Sequence, residues 1–80
     1  MATQKAFDIL SPDGIGMYFD KVFSTSEQAE IGFTNWVKRF EHQGYYRNNQ
    51  WQQIPLNELR NHCRLIELEI DLDDFEGEII

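Results

Sequence analysis

Apolar and polar residues alternate near both ends of this chain and follow a helical period in its middle. Residues 4–10 alternate with Phe7 and Ile9 on one side, which predicts a strand. Ser11-Pro12-Asp13-Gly14 is a turn signal: proline presets φ and glycine permits the exit conformation. Residues 15–23 resume period 2 through Ile15, Met17, Phe19 and Phe23, so the two strands are expected to form a hairpin.

Thr25 then opens the clearest helix. With Gln28 it makes a capping box, and Ser24 with Glu27 makes one a residue earlier. Ala29, Phe33, Trp36, Val37 and Phe40 follow at helical spacing as one apolar stripe. Gly44 stands where a left-handed residue would end the helix. Gly32 inside it costs about 1 kcal/mol relative to alanine and offers close approach to the sheet.

Residues 45–53 read as a polar, aromatic loop. Pro55 suits a first helical turn, and Leu56, Leu59 and Cys63 give a short second helix. Residues 64–72 close the fold as a strand, with Ile66, Leu68, Ile70 and Leu72 inward and Leu65, Glu67, Glu69 and Asp71 outward. The order β-β-α-α-β predicts an α+β two-layer sandwich. Its three-stranded antiparallel sheet has order 2-1-3, with both helices on one face. The other face presents Lys5, Asp8, Tyr18, Asp20, Glu67 and Glu69. Residues 1–72 are one domain, and 73–80 an acidic, flexible tail.

Charge changes this picture at one end only. Up to Arg64, seven acids (Asp8, Asp13, Asp20, Glu27, Glu30, Glu41, Glu58) balance seven bases (Lys5, Lys21, Lys38, Arg39, Arg47, Arg60, Arg64). Glu67, Glu69, Asp71, Asp73, Asp74, Glu76 and Glu78 follow with no base among them, so the net −7 belongs to residues 65–80. That balance argues against direct binding to nucleic acid or anionic membrane and points to a partner with a basic surface. The single cysteine excludes an internal disulfide and fits a reducing, cytoplasmic setting. No apolar run resembles a signal peptide or approaches the ~20 residues of a membrane span. With 80 residues the core is small, burying about 60–65% of the unfolded surface, and the 14% aromatic share helps to fill it.

Candidate chemistry is sparse. His42, His62 and Cys63 are the only soft ligands and make no metal spacing. Cys63 falls on the apolar stripe of the second helix and reads as a core residue. The run from Asp71 to Glu78 lacks the oxygen donor and glycine of a calcium loop, since Phe75 and Glu76 occupy those places. Gly14-Ile15-Gly16 precedes a strand rather than a helix, so it is no phosphate loop. No nucleophile–base pair is evident, so no catalytic, metal or cofactor residue is expected.

Two stretches suit recognition instead. In Tyr45-Tyr46-Arg47-Asn48-Asn49-Gln50-Trp51, one or two rings roof the core, and Tyr46, Arg47 and Trp51 are the candidate contacts. In the acidic strand and tail the candidates are Glu67, Glu69, Asp71, Asp73, Asp74, Phe75, Glu76 and Glu78. There carboxylates steer and Phe75 or Ile79-Ile80 anchors; the bland alternative is a solvated charge run.

The S-P-D-G turn, the A-x3-F-x2-W helix ending in Q-G-Y-Y (Ala29, Phe33, Trp36, Gln43, Gly44, Tyr45, Tyr46) and the I-P-L-x-E-L-x3-C segment (Ile54 to Cys63) together resemble a group of small bacterial proteins. The resemblance runs to Leu68 and implies no activity; the acidic tail lies outside it. The expectation is therefore a small, non-catalytic, cytoplasmic protein-binding or regulatory module. It would engage a basic partner through its acidic sheet face, aromatic loop and tail. The alternative is a nucleic-acid-mimicking, phage-linked inhibitor of a nucleic-acid-binding protein. A small enzyme is a third class with no supporting constellation.

Overall fold

In the computed structural model, which describes residues 2–80, the chain forms two short helices and six strands that pair two by two. β1 (Thr3–Leu10) and β5 (Arg64–Asp71) make the one long ribbon, antiparallel from Thr3↔Asp71 to Leu10↔Arg64. β2 (Lys21–Val22) pairs in parallel with β6 (Glu78–Ile79). β3 (Tyr45–Arg47) and β4 (Gln53–Pro55) form a hairpin. The structure is a small mixed α/β fold whose strands pair as two-stranded ribbons. β1 meets the second expected strand only at bridges Phe7↔Phe23 and Leu10↔Gly16.

The Ser11–Gly14 turn forms as predicted, with the Gly14 N–H donating to Ser11 O at 2.8 Å and Gly14 at φ 81. The strand after it does not persist. Met17 enters the core, and Tyr18 packs against the same core while its hydroxyl donates to Gly32 O at 3.2 Å. Phe19 is left fully exposed. A strand cannot send consecutive side chains to one side, so this packing breaks period 2 until β2.

α1 (Ser26–Val37) starts at Thr25, whose Oγ1 accepts from the Gln28 N–H at 3.1 Å; the Ser24 alternative is not used. Its stripe buries Ala29, Phe33 and Trp36. A 3-10 turn (Lys38–Phe40) extends it, and Gly44, at φ 82, donates to Phe40 O at 2.9 Å. That positive φ is the left-handed ending the sequence suggested. A Cβ on Gly32 would stand 2.3 Å from the Phe23 ring, so glycine is what lets Phe23 pack on the helix.

Trp36 is the hub of the core. Its ring lies 5.8 Å from Phe33, 5.1 Å from Phe40 and 5.5 Å from Tyr46, in tilted or edge-on contacts that aromatic quadrupoles favour. α2 (Leu56–Leu59) adds the fully buried Leu59. Beyond it, Arg60 forks onto Glu30 of α1 at 3.0 and 2.7 Å, tying the two helices and holding the Glu30 carboxyl below its usual range.

The register of β5 reverses the expected facing. Cross-strand partners share a face, and Phe7 pairs with Glu67 and Ile9 with Leu65. The Phe7 and Ile9 side, which meets the core, therefore carries Lys5, Leu65, Glu67, Glu69 and Asp71. Ile66, Leu68 and Ile70 lie on the opposite side with Ala6 and Asp8, and all three are half-buried. Leu72, expected inward, lies past the end of β5 and is exposed. Asp8, expected at the surface, is 6% exposed, and burial raises its pKa.

The acidic tail, expected to be flexible or loosely docked, ends in a paired strand. The N–H of Glu78 donates to Asp20 O at 2.9 Å, that of Ile80 to Val22 O at 3.0 Å, and that of Ser24 to Ile80 O at 2.6 Å. The physical reason is a vacancy at β2. Its two residues leave backbone groups that need partners, and the returning chain supplies them. A Cβ on Gly77 would approach Asp20 O to 2.6 Å, so glycine permits the close passage.

Candidate protein-binding surfaces

The aromatic hairpin and the acidic ribbon stand at opposite ends of β1. Asp13, just past Leu10, holds the tip of the β3–β4 hairpin, whereas Glu69 and Asp71 pair with Lys5 and Thr3. Five residues of strand separate Leu10 from Lys5 and seven separate it from Thr3, about 17–24 Å at ~3.4 Å per residue. The single composite surface expected from sequence is thus two surfaces.

At the hairpin end, Asn48 organises the turn. Its Oδ1 accepts from the N–H groups of Gln50 (3.0 Å) and Gln52 (2.9 Å), and its own backbone bonds to Trp51 and Gln52. Asp13 braces the turn from across the chain. It accepts from the Asn49 N–H at 2.9 Å and from the Tyr46 hydroxyl at 2.7 Å. Burial, and then the Asp13 hydrogen bond, push the Tyr46 phenol above its usual value. Tyr46 is therefore the ring that roofs the core, not an accessible contact.

Trp51 does the opposite. Its backbone is left-handed at φ 66, and the residue is 77% exposed. A non-glycine residue in that region is strained by roughly 1–2 kcal/mol and persists only where its surroundings enforce it. Arg47 lies between the rings, its guanidinium 5.5 Å from Trp51 and 5.6 Å from Tyr45. The result is an apolar ring with a cation beside it, held outward by a closed hydrogen-bond network. Asp13 and Asn48 are the residues sequence reasoning missed as builders of this site. Asp13 read as turn punctuation, and nothing local ties it to a residue 36 positions away.

At the other end, the acids are exposed and sparsely paired. Lys5 Nζ lies 3.4 Å from Glu67, and the Thr3 hydroxyl donates to Glu69 at 3.0 Å. Asp71 turns the chain, its carboxylate accepting from the Asp73 N–H and its carbonyl from those of Asp74 and Phe75. Asp73, Asp74, Glu76 and Glu78 are exposed along the following turn, with Glu78 in register beside Lys21. Phe75 is half-buried, part of how the returning chain docks. Lys5–Glu67 is the one ion pair these acids make among the described residues.

Burial pushes the Cys63 thiol up to about 11, so it stays protonated near neutrality. Among the described residues no three His, Cys, Asp or Glu side chains converge as metal ligands, and no helix is long and apolar enough to cross a membrane.

No protein-family model, curated protein or solved structure matches this chain.

Proposed function

We propose that this chain is a non-catalytic cytoplasmic binding module that takes a protein partner with a basic surface at its acidic end. The carrying observation is the distribution of charge. Seven exposed or half-exposed acids lie on β5, the turn after it and β6, and among the described residues only Glu67 of them is ion-paired, to Lys5. Such a field steers a cationic partner and repels nucleic acid and anionic lipid. In this reading the Phe7↔Phe23 bridge, just past β2, lets β2, β1 and β5 act as one antiparallel layer in the order β2-β1-β5, with β5 as its outer edge. The Trp51–Arg47 tip offers a second contact of the aromatic and arginine type that dominates interface energetics.

The experiment is affinity capture at low and high salt with three proteins: the parent chain, Glu67→Gln/Glu69→Gln/Asp71→Asn, and Trp51→Ala. The proposal expects a basic protein retained at low salt and lost on charge neutralisation. Capture indifferent to neutralisation would overturn it. Displacement of the captured protein by duplex DNA would instead favour the nucleic-acid-mimicking inhibitor, because the row of acids would then occupy a nucleic-acid site.

A further inference from the structure

We infer that the outer edge of β5 receives an added strand whose basic and aliphatic residues alternate. The inference deepens the reading of a basic partner and rests on it.

The hydrogen-bond parity of the ribbon identifies the open groups. Phe7 exchanges both backbone bonds with Phe23, at 2.7 and 2.9 Å, so its N–H and C=O point away from β5. In an antiparallel pair this orientation alternates, so Glu67 opposite Phe7 also points its backbone outward. The Leu72 N–H bonding to Ala2 O at 3.0 Å fixes the same parity from the other end. Leu65, Glu67 and Glu69 therefore aim their N–H and C=O groups at the open edge, and among the described residues β1 is the only strand beside β5. The Asp71 carbonyl is already occupied by the turn.

Side chains then specify the occupant. On one face of the edge stand Glu67 and Glu69, and on the other Ile66, Leu68 and Ile70, half-buried and outside the core cluster. A shallow groove of about 370 Å³ lies beside that edge, over the β1–β5 ribbon, between Lys5, Glu67, Leu68 and Glu69. A strand laid along this edge keeps the same two faces, so every second residue opposes a glutamate and the others oppose the aliphatic row. Lysine or arginine alternating with valine or isoleucine satisfies both. A second copy of this chain does not, since antiparallel β5–β5 pairing would set glutamates against glutamates. Main-chain bonds would supply affinity and the alternation specificity, as in other strand additions.

The test uses the full chain and three synthetic peptides: one alternating lysine and valine, one of the same composition with lysines and valines in blocks, and the alternating peptide N-methylated at every second residue. Calorimetry and amide hydrogen exchange are the readouts. The alternating peptide is expected to bind at least about tenfold tighter than the other two. It should also slow exchange at Leu65, Glu67 and Glu69 while leaving Ile66 and Leu68 unchanged. Equal binding of alternating and block peptides, without new protection, would overturn the strand addition and leave the basic-partner reading standing. No binding by any of the three would overturn both.

Discussion

The hairpin tip and the acidic ribbon are both exposed, yet opposite forces build them. At the tip, side chains do the building: Asn48 and Asp13 satisfy backbone groups, Tyr46 packs at a tilt against Trp36, and Trp51 is forced outward in a strained backbone. At the ribbon end, backbone pairing does the building. Side chains from Lys5, Glu67 and Glu69 are left to solvent, with one long ion pair that contributes at most about 1 kcal/mol. A surface held by side chains presents a fixed shape. A surface held by its backbone presents a field and an open edge.

The largest perturbation of this contrast is Trp36→Ala. It should cost about 3–5 kcal/mol, because Trp36 joins Phe33, Phe40 and Tyr46 in a small core. Denaturant unfolding gives the total, and amide exchange gives its distribution. Protection should fall further in β3 and β4 than at the Thr3 end of β1. An equal loss at both ends would mean the tip does not lean on the core as described.

Deleting residues 73–80 is the next largest. It removes the pairing of β6 with β2 and the bonds at Glu78, Ile80 and Ser24, at roughly 1 kcal/mol each. Part of this loss is offset by relieved repulsion among the removed acids. A net loss of about 2 kcal/mol is expected; a truncated chain as stable as the parent would show that the end of the chain is a free tail after all.

These two cases show what was legible in the sequence. The helix was, because Thr25, the stripe through Trp36 and Gly44 each carry their own local chemistry. The ends of the long ribbon were legible as elements but not in register. Leu65, Ile66, Leu68 and Ile70 put apolar residues on both parities, and nothing local says that odd residues of β5 oppose odd residues of β1. A one-residue change in that pairing exchanges the two faces, which is how the aliphatic row came to lie away from Phe7 and Ile9. The docking of β6 was invisible because its bonds are backbone bonds between two-residue segments. At the aromatic loop, composition marked a surface. It could not tell Tyr46, which roofs the core, from Trp51, which does not.

A smaller effect sharpens the tip. Trp51→Gly relieves a left-handed strain and should leave stability unchanged or raise it by up to about 1 kcal/mol, while removing the exposed ring. A thermal scan checks this. Marked destabilisation would mean that Trp51 packs rather than presents.

The smallest effect concerns Asp8, which burial drives toward its neutral form. Because its folded pKa lies above the ordinary 3.8, the folded state binds the proton more tightly than the unfolded state. Its contribution to stability is present below 3.8 and is lost as pH rises through the folded value. Asp8→Asn keeps an acceptor for the Ile9 N–H without the charge. Its urea midpoint should match the parent at pH 3, exceed it increasingly as pH rises from 3.8 through the folded value, and keep a constant lead above that. A gap that does not change with pH would contradict the assignment.

The central claim is that the acidic edge binds and that it does so independently of the aromatic tip. Its most direct measurement is an amide and indole NMR titration of the full chain with the alternating lysine–valine peptide. Shifts are expected along β5 and at Thr3 and Lys5, with the Trp51 indole and Arg47 signals unmoved. Shifts centred on Trp51 and Arg47, with β5 silent, would contradict it.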